Sequence, residues 1–159
     1  MKIIYWRILV LFITTISCGQ KNNKLTVTDH LNVGSVSFDN VKYDLSWSSH
    51  PSENYYKQEY LADKDSIESF KKMILLEVLT GSTQLKEVVD SKVAELKKMK
   101  ETDPMVNYEL FEKDGEMMVD FLISGKIADG NAMDLIERNV YRYKSFKDIK
   151  GKEGVLCLV

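Results

Sequence analysis

An α+β fold, with an antiparallel sheet and two helices packed on one face, is what this sequence predicts. Three observations point there. Runs of period two frame both ends of the chain from Val41 onward. Two consecutive stretches between Ala62 and Pro104 carry apolar residues at helical spacing. The connections are short, so neighbouring strands run antiparallel and the helices fall together on one side.

The first strand is "VKYDLSWS", in which Val41, Tyr43, Leu45 and Trp47 alternate with polar residues. "SHPSEN" supplies turn chemistry, and "YYKQEYL" follows as a tyrosine-rich second strand. In "ADKDSIESFKKMILLEVLTG" the period changes. Ile67, Phe70, Ile74 and Val78 mark a helix, with Asp65 and Glu68 as its capping residues and Gly81 as its stop. "STQLKEVVDSKVAELKKMKETDP" predicts a second helix with a stripe of Leu85, Val88, Val89, Val93, Leu96 and Met99, ended by Asp103-Pro104. "MVNYELFEKDGEMMVDFLIS" reads as a hairpin about Asp114-Gly115, which suits a type I′ turn. "SGKIADGN" is a loop, "AMDLIERNVYRYKSF" a long strand, and "VLCLV" an apolar strand belonging inside the sheet.

The chain has 22 basic and 24 acidic residues, and no basic stripe stands out. That argues against nucleic acid as a partner. Lys2 and Arg7 precede the uncharged, mostly apolar run Ile8 to Ile16, and small or polar residues lead on to Cys18. This is the layout of a secretory signal peptide, and the run is too short to span a bilayer as a helix. Residues 1–17 are therefore a signal peptide, 18–34 a flexible tether, and 35–159 a single α+β domain. Because the apolar strand "VLCLV" stops abruptly at Val159, the natural domain is expected to continue past it.

Thr15-Ile16-Ser17-Cys18 resembles the lipobox of bacterial lipoproteins, with Thr15 where that family usually has leucine. The resemblance covers the first 21 residues. It implies acyl chains on Cys18 that hold the protein to a membrane. With Gly19 next, it implies sorting to the outer membrane, facing the periplasm. The element order from Val41 onward resembles the Mog1/PsbP-like α/β sandwich, and "YYKQEYLADKDSIESFKKM" is similar to small uncharacterised exported proteins. Neither resemblance carries a catalytic motif, so no active site is implied.

The chain has two cysteines, and lipidation of Cys18 would leave Cys157 in "GVLCLV" as a buried thiol. Its two histidines, His30 in the tether and His50 in a turn, are read as solvent-facing and not as metal ligands. No nucleophile elbow, phosphate loop or dinucleotide fingerprint is present, so no cofactor is expected. The most suggestive residues are strand tyrosines. Tyr55, Tyr60, Tyr141 and Tyr143 form the candidate binding surface for a protein, peptide or glycan, on whichever sheet face the helices leave open. The alternative is a small envelope hydrolase or isomerase using Glu109, Asp120 or Glu137, although Lys57, Arg138 and Arg142 offer these acids ordinary ion pairs.

Overall fold

The computed structural model describes residues 27–126 and 133–159. Four strands come first: β1 (Ser35–Phe38), β2 (Val41–Ser52), β3 (Tyr55–Ala62) and β4 (Met73–Thr80). One helix, α1 (Leu85–Lys100), follows. Four more strands complete the chain: β5 (Asn107–Lys113), β6 (Glu116–Lys126), β7 (Met133–Lys147) and β8 (Glu153–Leu158). All eight join one curled antiparallel sheet, a half-barrel, in the order β1-β2-β3-β4-β8-β7-β6-β5. Two antiparallel meanders thus meet at a central seam where β4 pairs with β8.

The expected two-helix α/β sandwich, with its Mog1/PsbP-like element order, is overturned by this architecture. The error lies in the first predicted helix. Residues Met73 to Leu79 are apolar at every position but Glu77, and such a run fits a central strand as well as a helix. As β4 it finds cover on both faces, with Ile74, Leu75 and Val78 buried. As a helix it would bury one stripe, and two members of that stripe, Ile67 and Phe70, are exposed. Lys64 adopts φ 74°, and Ser66 and Ser69 bridge to each other, so the predicted first turns are an irregular connection instead.

Strand β2 departs from its predicted alternation, since a register shift after Leu45 turns Trp47 to the face opposite Tyr43 and Leu45, and the strand runs on through Ser52 into the predicted turn. The hairpin turn and α1 follow their local signals. Asp114 and Gly115 have φ of 52° and 77°, the paired positive values that a type I′ turn requires. Asp39 and Asn40 repeat this device between β1 and β2, at 52° and 60°. In α1 the predicted stripe packs as drawn. Val89 and Leu96 are buried, and Leu85, Val88, Val93 and Met99 lie against the same cluster. Glu87 accepts a hydrogen bond from the Gln84 amide and steadies the first turn. At the other end Asp103 accepts from Ser124 Oγ at 2.6 Å, pinning the helix exit to β6.

The two halves of the sheet bury opposite faces. On the α1 side, Met117, Val119, Phe121, Tyr143, Val155 and Cys157 form the larger core. The register places Glu77 beside Cys157 and Leu79 beside Val155, so Ile74, Leu76 and Val78 point the other way. There Tyr43, Tyr60 and Ile74 form a second core. The segment from Asp29 to Gly34 is tied to this second face. Leu31 N–H donates to Gln58 Oε1 at 2.8 Å, and Gln58 Nε2 donates to Asp29 Oδ1 at 2.9 Å. On the open face of the second half, Arg138 meets Asp120, and both Arg142 and Lys144 meet Glu116.

Those anchored carboxylates set an acid limit. Hydrogen bonds from the Gly34 amide and Gln58 hold Asp29 below the usual carboxylate range, and Ser124 and the Met105 amide do the same for Asp103. Lys144 and Arg142 lower Glu116, and Arg138 lowers Asp120. A folded-state value below the unfolded one means stability that is present above the ordinary carboxyl range and lost as pH falls through it. The thermal midpoint should therefore hold near neutrality and decline below about pH 4 to 5. Asp103→Asn should flatten that limb; an unchanged acid profile in this variant would remove Asp103 from the account.

Candidate functional site

The sheet face under α1 does not close completely. Where β3 and β4 run out from beneath the helix, a groove of about 360 Å³ lies between the helix flank and the sheet. Leu79, Val155 and Cys157 form its floor, and Val88, Ser91 and Lys92 its helical wall. The position follows from topology. The helix joins the centre of the sheet to its β5 edge, so it roofs the second meander and leaves this face of β3 uncovered.

Polar groups converge at the mouth. Tyr55 OH donates to Glu77 Oε1 at 2.7 Å. Lys57 Nζ stands 3.9 Å from the same oxygen and 3.6 Å from Glu59 Oε1, and lies 6.0 Å from the centre of the Trp47 ring. From the helix, Lys92 pairs with Glu95 at 2.7 Å and sits 5.1 Å from the centre of the Tyr141 ring. That distance is within cation–π range. Tyr141 also meets Phe121 edge-on at 5.0 Å.

Burial raises the pKa values of the groups around the floor. The Tyr55 hydroxyl is pushed up by burial and by its bond to Glu77. Tyr141 and Tyr143 are raised chiefly by burial. The Cys157 thiol is pushed up to about 12 by burial and then by Glu77. A thiol held that high is a weak nucleophile and packs as a small apolar group. The groove thus offers aromatic edges, an apolar floor, and Lys92 in its wall with Lys57 at its mouth, both among acids, which suits recognition by stacking and hydrogen bonding.

Of the four tyrosines singled out from sequence, the fold brings three to this side. Tyr55 is half-buried at the groove, Tyr141 stands beneath Lys92, and Tyr143 is buried beside Cys157. Tyr60 lies on the opposite face, fully buried, with Gln58 Nε2 donating to its hydroxyl at 2.6 Å. The candidate surface is therefore the helix side of the sheet, not the face the helix leaves open. Cys18 lies outside the described residues.

The strand acids separate as well. Glu109 sits opposite Asp120 on the open face, whereas Glu137 pairs with Ile123 and projects to the other side. Asp120 is held by Arg138 Nε at 3.0 Å. Glu77 and Lys92 were not singled out from sequence, since only tertiary pairing sets them beside Tyr55 and Tyr141. The two histidines, unrelated in the sequence reading, come together on the Asp29–Gly34 side. The His50 ring stacks on Tyr56 at 4.1 Å, and His30 lies 5.6 Å from His50. Among the described residues no cluster of three metal-ligating side chains occurs, and no helix is long and apolar enough to cross a membrane.

Fold and groove together define a β-rich, curled-sheet domain with a single helical roof. A protein-family model matches residues 31–158, and the chain belongs to that family. The matched span begins at Leu31, whose amide bonds to Gln58, and runs to the end of β8. Neither a curated protein nor a solved structure matches the chain.

Proposed function

We propose that this protein is a lipid-anchored envelope protein whose domain serves as a binding or accessory module. The anchor would be acyl chains on Cys18, placing the domain on the periplasmic side of the outer membrane. One observation carries the binding part of the reading. The groove beside α1 joins an apolar floor to the convergent Tyr55–Glu77 pair and to Lys92 over Tyr141. Ligand sites combine a concave apolar surface with a few placed polar groups in this way. The mixed chemistry fits a glycan or a short peptide, which would stack on the aromatic edges and bond to the carboxylates and lysine.

The carboxylate-enzyme reading gains no support from the strand acids. Asp120 is held below the usual carboxylate range by Arg138, opposite to what a general acid needs at neutral pH. Glu137 faces away from Glu109 and Asp120.

A melting-shift screen of the domain with oligosaccharides and short peptides tests the groove. A binder should raise the midpoint, and Ser91→Trp should abolish the rise by filling the groove from its exposed wall. Because Ser91 is exposed, the unliganded midpoint should move by less than about 2 °C. A binder whose effect survives Ser91→Trp places the site elsewhere. The anchor is tested separately: labelled palmitate should enter the wild type and not Cys18→Ser, and equal labelling of the two would refute it.

A further inference from the structure

The sheet has two edges of unlike character. β1 is four residues long. β5 is seven residues long, has no proline, and pairs with β6 without a bulge. An edge strand offers a row of unpaired amides and carbonyls, and natural sheets usually shorten, bend or cover such rows. β5 does none of these, and it exposes Leu110 and Phe111, at 46% and 44%.

On the open face β5 presents Glu109, Phe111 and Lys113 in line. Among the described residues, the neighbouring β6 acids are engaged by β7, Asp120 by Arg138 and Glu116 by Arg142 and Lys144, while neither Glu109 nor Lys113 has an ion-pair partner. The order acid, aromatic, base reads the same when a copy is turned about a two-fold axis through the aromatic, with each acid meeting a base. We infer that a second copy of this chain pairs with β5 antiparallel about Phe111, joining two sheets edge to edge. Glu109 then faces the partner's Lys113, Lys113 faces the partner's Glu109, and Phe111 faces the partner's Phe111.

The register is selected by charge. Moving the axis to Leu110 would set Glu109 against the partner's Phe111 and Lys113 against the partner's Asn107, leaving all four charges unmatched. About Phe111 all four are matched, and opposite charges across a strand pair are favourable whereas like charges are not. Met118 lies opposite Phe111 on β6, so the join would form an apolar strip two residues wide in each copy. The contact is isologous and therefore closed, and the edges left outside are the two short β1 strands, which do not favour further growth.

Sedimentation equilibrium of the full chain in a non-ionic detergent tests the pairing. The wild type should show a monomer–dimer equilibrium. Glu109→Lys and Lys113→Glu should each weaken it by about 10-fold or more, because like charges then meet twice. The double variant Glu109→Lys/Lys113→Glu should restore it to within about 3-fold, since the swapped charges again complement. Both positions are exposed, and circular dichroism confirms that each variant is folded. A wild type that stays monomeric at all attainable concentrations would overturn the inference. So would a double variant as weak as the singles, because that result places any dimer in another register or on another surface.

Discussion

Gly154→Ala is expected to lower the melting temperature by on the order of 10 °C. Gly154 is buried in β8 at the seam between the two meanders, paired with Thr80 on one side and Phe146 on the other. A methyl group there would sit 2.8 and 2.9 Å from two ring carbons of Phe146, and nearer still to the Leu79 carbonyl oxygen. The ring can turn aside. The carbonyl cannot, because it belongs to the β4 backbone that pairs with β8. Relief requires spreading the β4–β8 pairing that joins the two halves, and interiors packed like crystals resist such spreading. Overpacking of this kind costs about 2–4 kcal/mol. Gly125→Ala is the control, since its nearest neighbour would be a Leu135 side-chain carbon at 3.8 Å. Calorimetry of both variants settles the matter: equal midpoints would mean that the seam yields freely.

Gln58→Leu should be nearly as damaging, for a chemical and not a steric reason. Gln58 is completely buried, and its amide serves three partners: Leu31 N–H, the Asp29 carboxylate and the Tyr60 hydroxyl. Leucine fills a similar volume but satisfies none of them. The buried Tyr60 hydroxyl loses its donor, and the Asp29–Gly34 segment loses both ties to β3. Buried groups left unpaired cost about 1–3 kcal/mol each, so a loss of roughly 2–4 kcal/mol is expected in urea denaturation. Amide exchange at Leu31 should rise toward the rate of an unprotected chain. Tyr60→Phe removes one bond and keeps the rest, so it should cost only about 1 kcal/mol and leave the Leu31 amide protected. Continued protection of Leu31 in Gln58→Leu would show that something other than this amide holds the segment.

The candidate site was half legible. Tyr55, Tyr141 and Tyr143 are large strand residues with a polar tip, and that much is visible in the sequence. Their sides are legible too. Tyr55 and Tyr60 are five positions apart in an unbroken strand, so they must project to opposite faces, whereas Tyr141 and Tyr143 must share one. Which of those faces lies beneath the helix is not written locally. Neither are the Glu77 partner of Tyr55, 22 residues away, and the placing of Lys92 over Tyr141. The meeting of His30 with His50 is hidden for the same reason, since it depends on the Asp29–Gly34 segment returning across β3.

What the sequence determined by itself is every element whose signal is local and one-sided. The stripe of α1 admits one solution because its polar flank must stay in water. The β5–β6 hairpin admits one because Asp114-Gly115 tolerates the positive φ pair that few residues accept. In β2 the alternation holds only as far as Leu45, because a register shift then turns Trp47 to the other face. Only the tertiary structure decided β4. Its residues are apolar on consecutive positions, so they satisfy a buried helix and a central strand equally. The choice depends on whether cover exists on both faces at once. That cover comes from β3 beside it, β8 from the far end of the chain, and cores on opposite sides of the sheet. A strand that owes its existence to partners up to about 80 positions away leaves no period of its own to read.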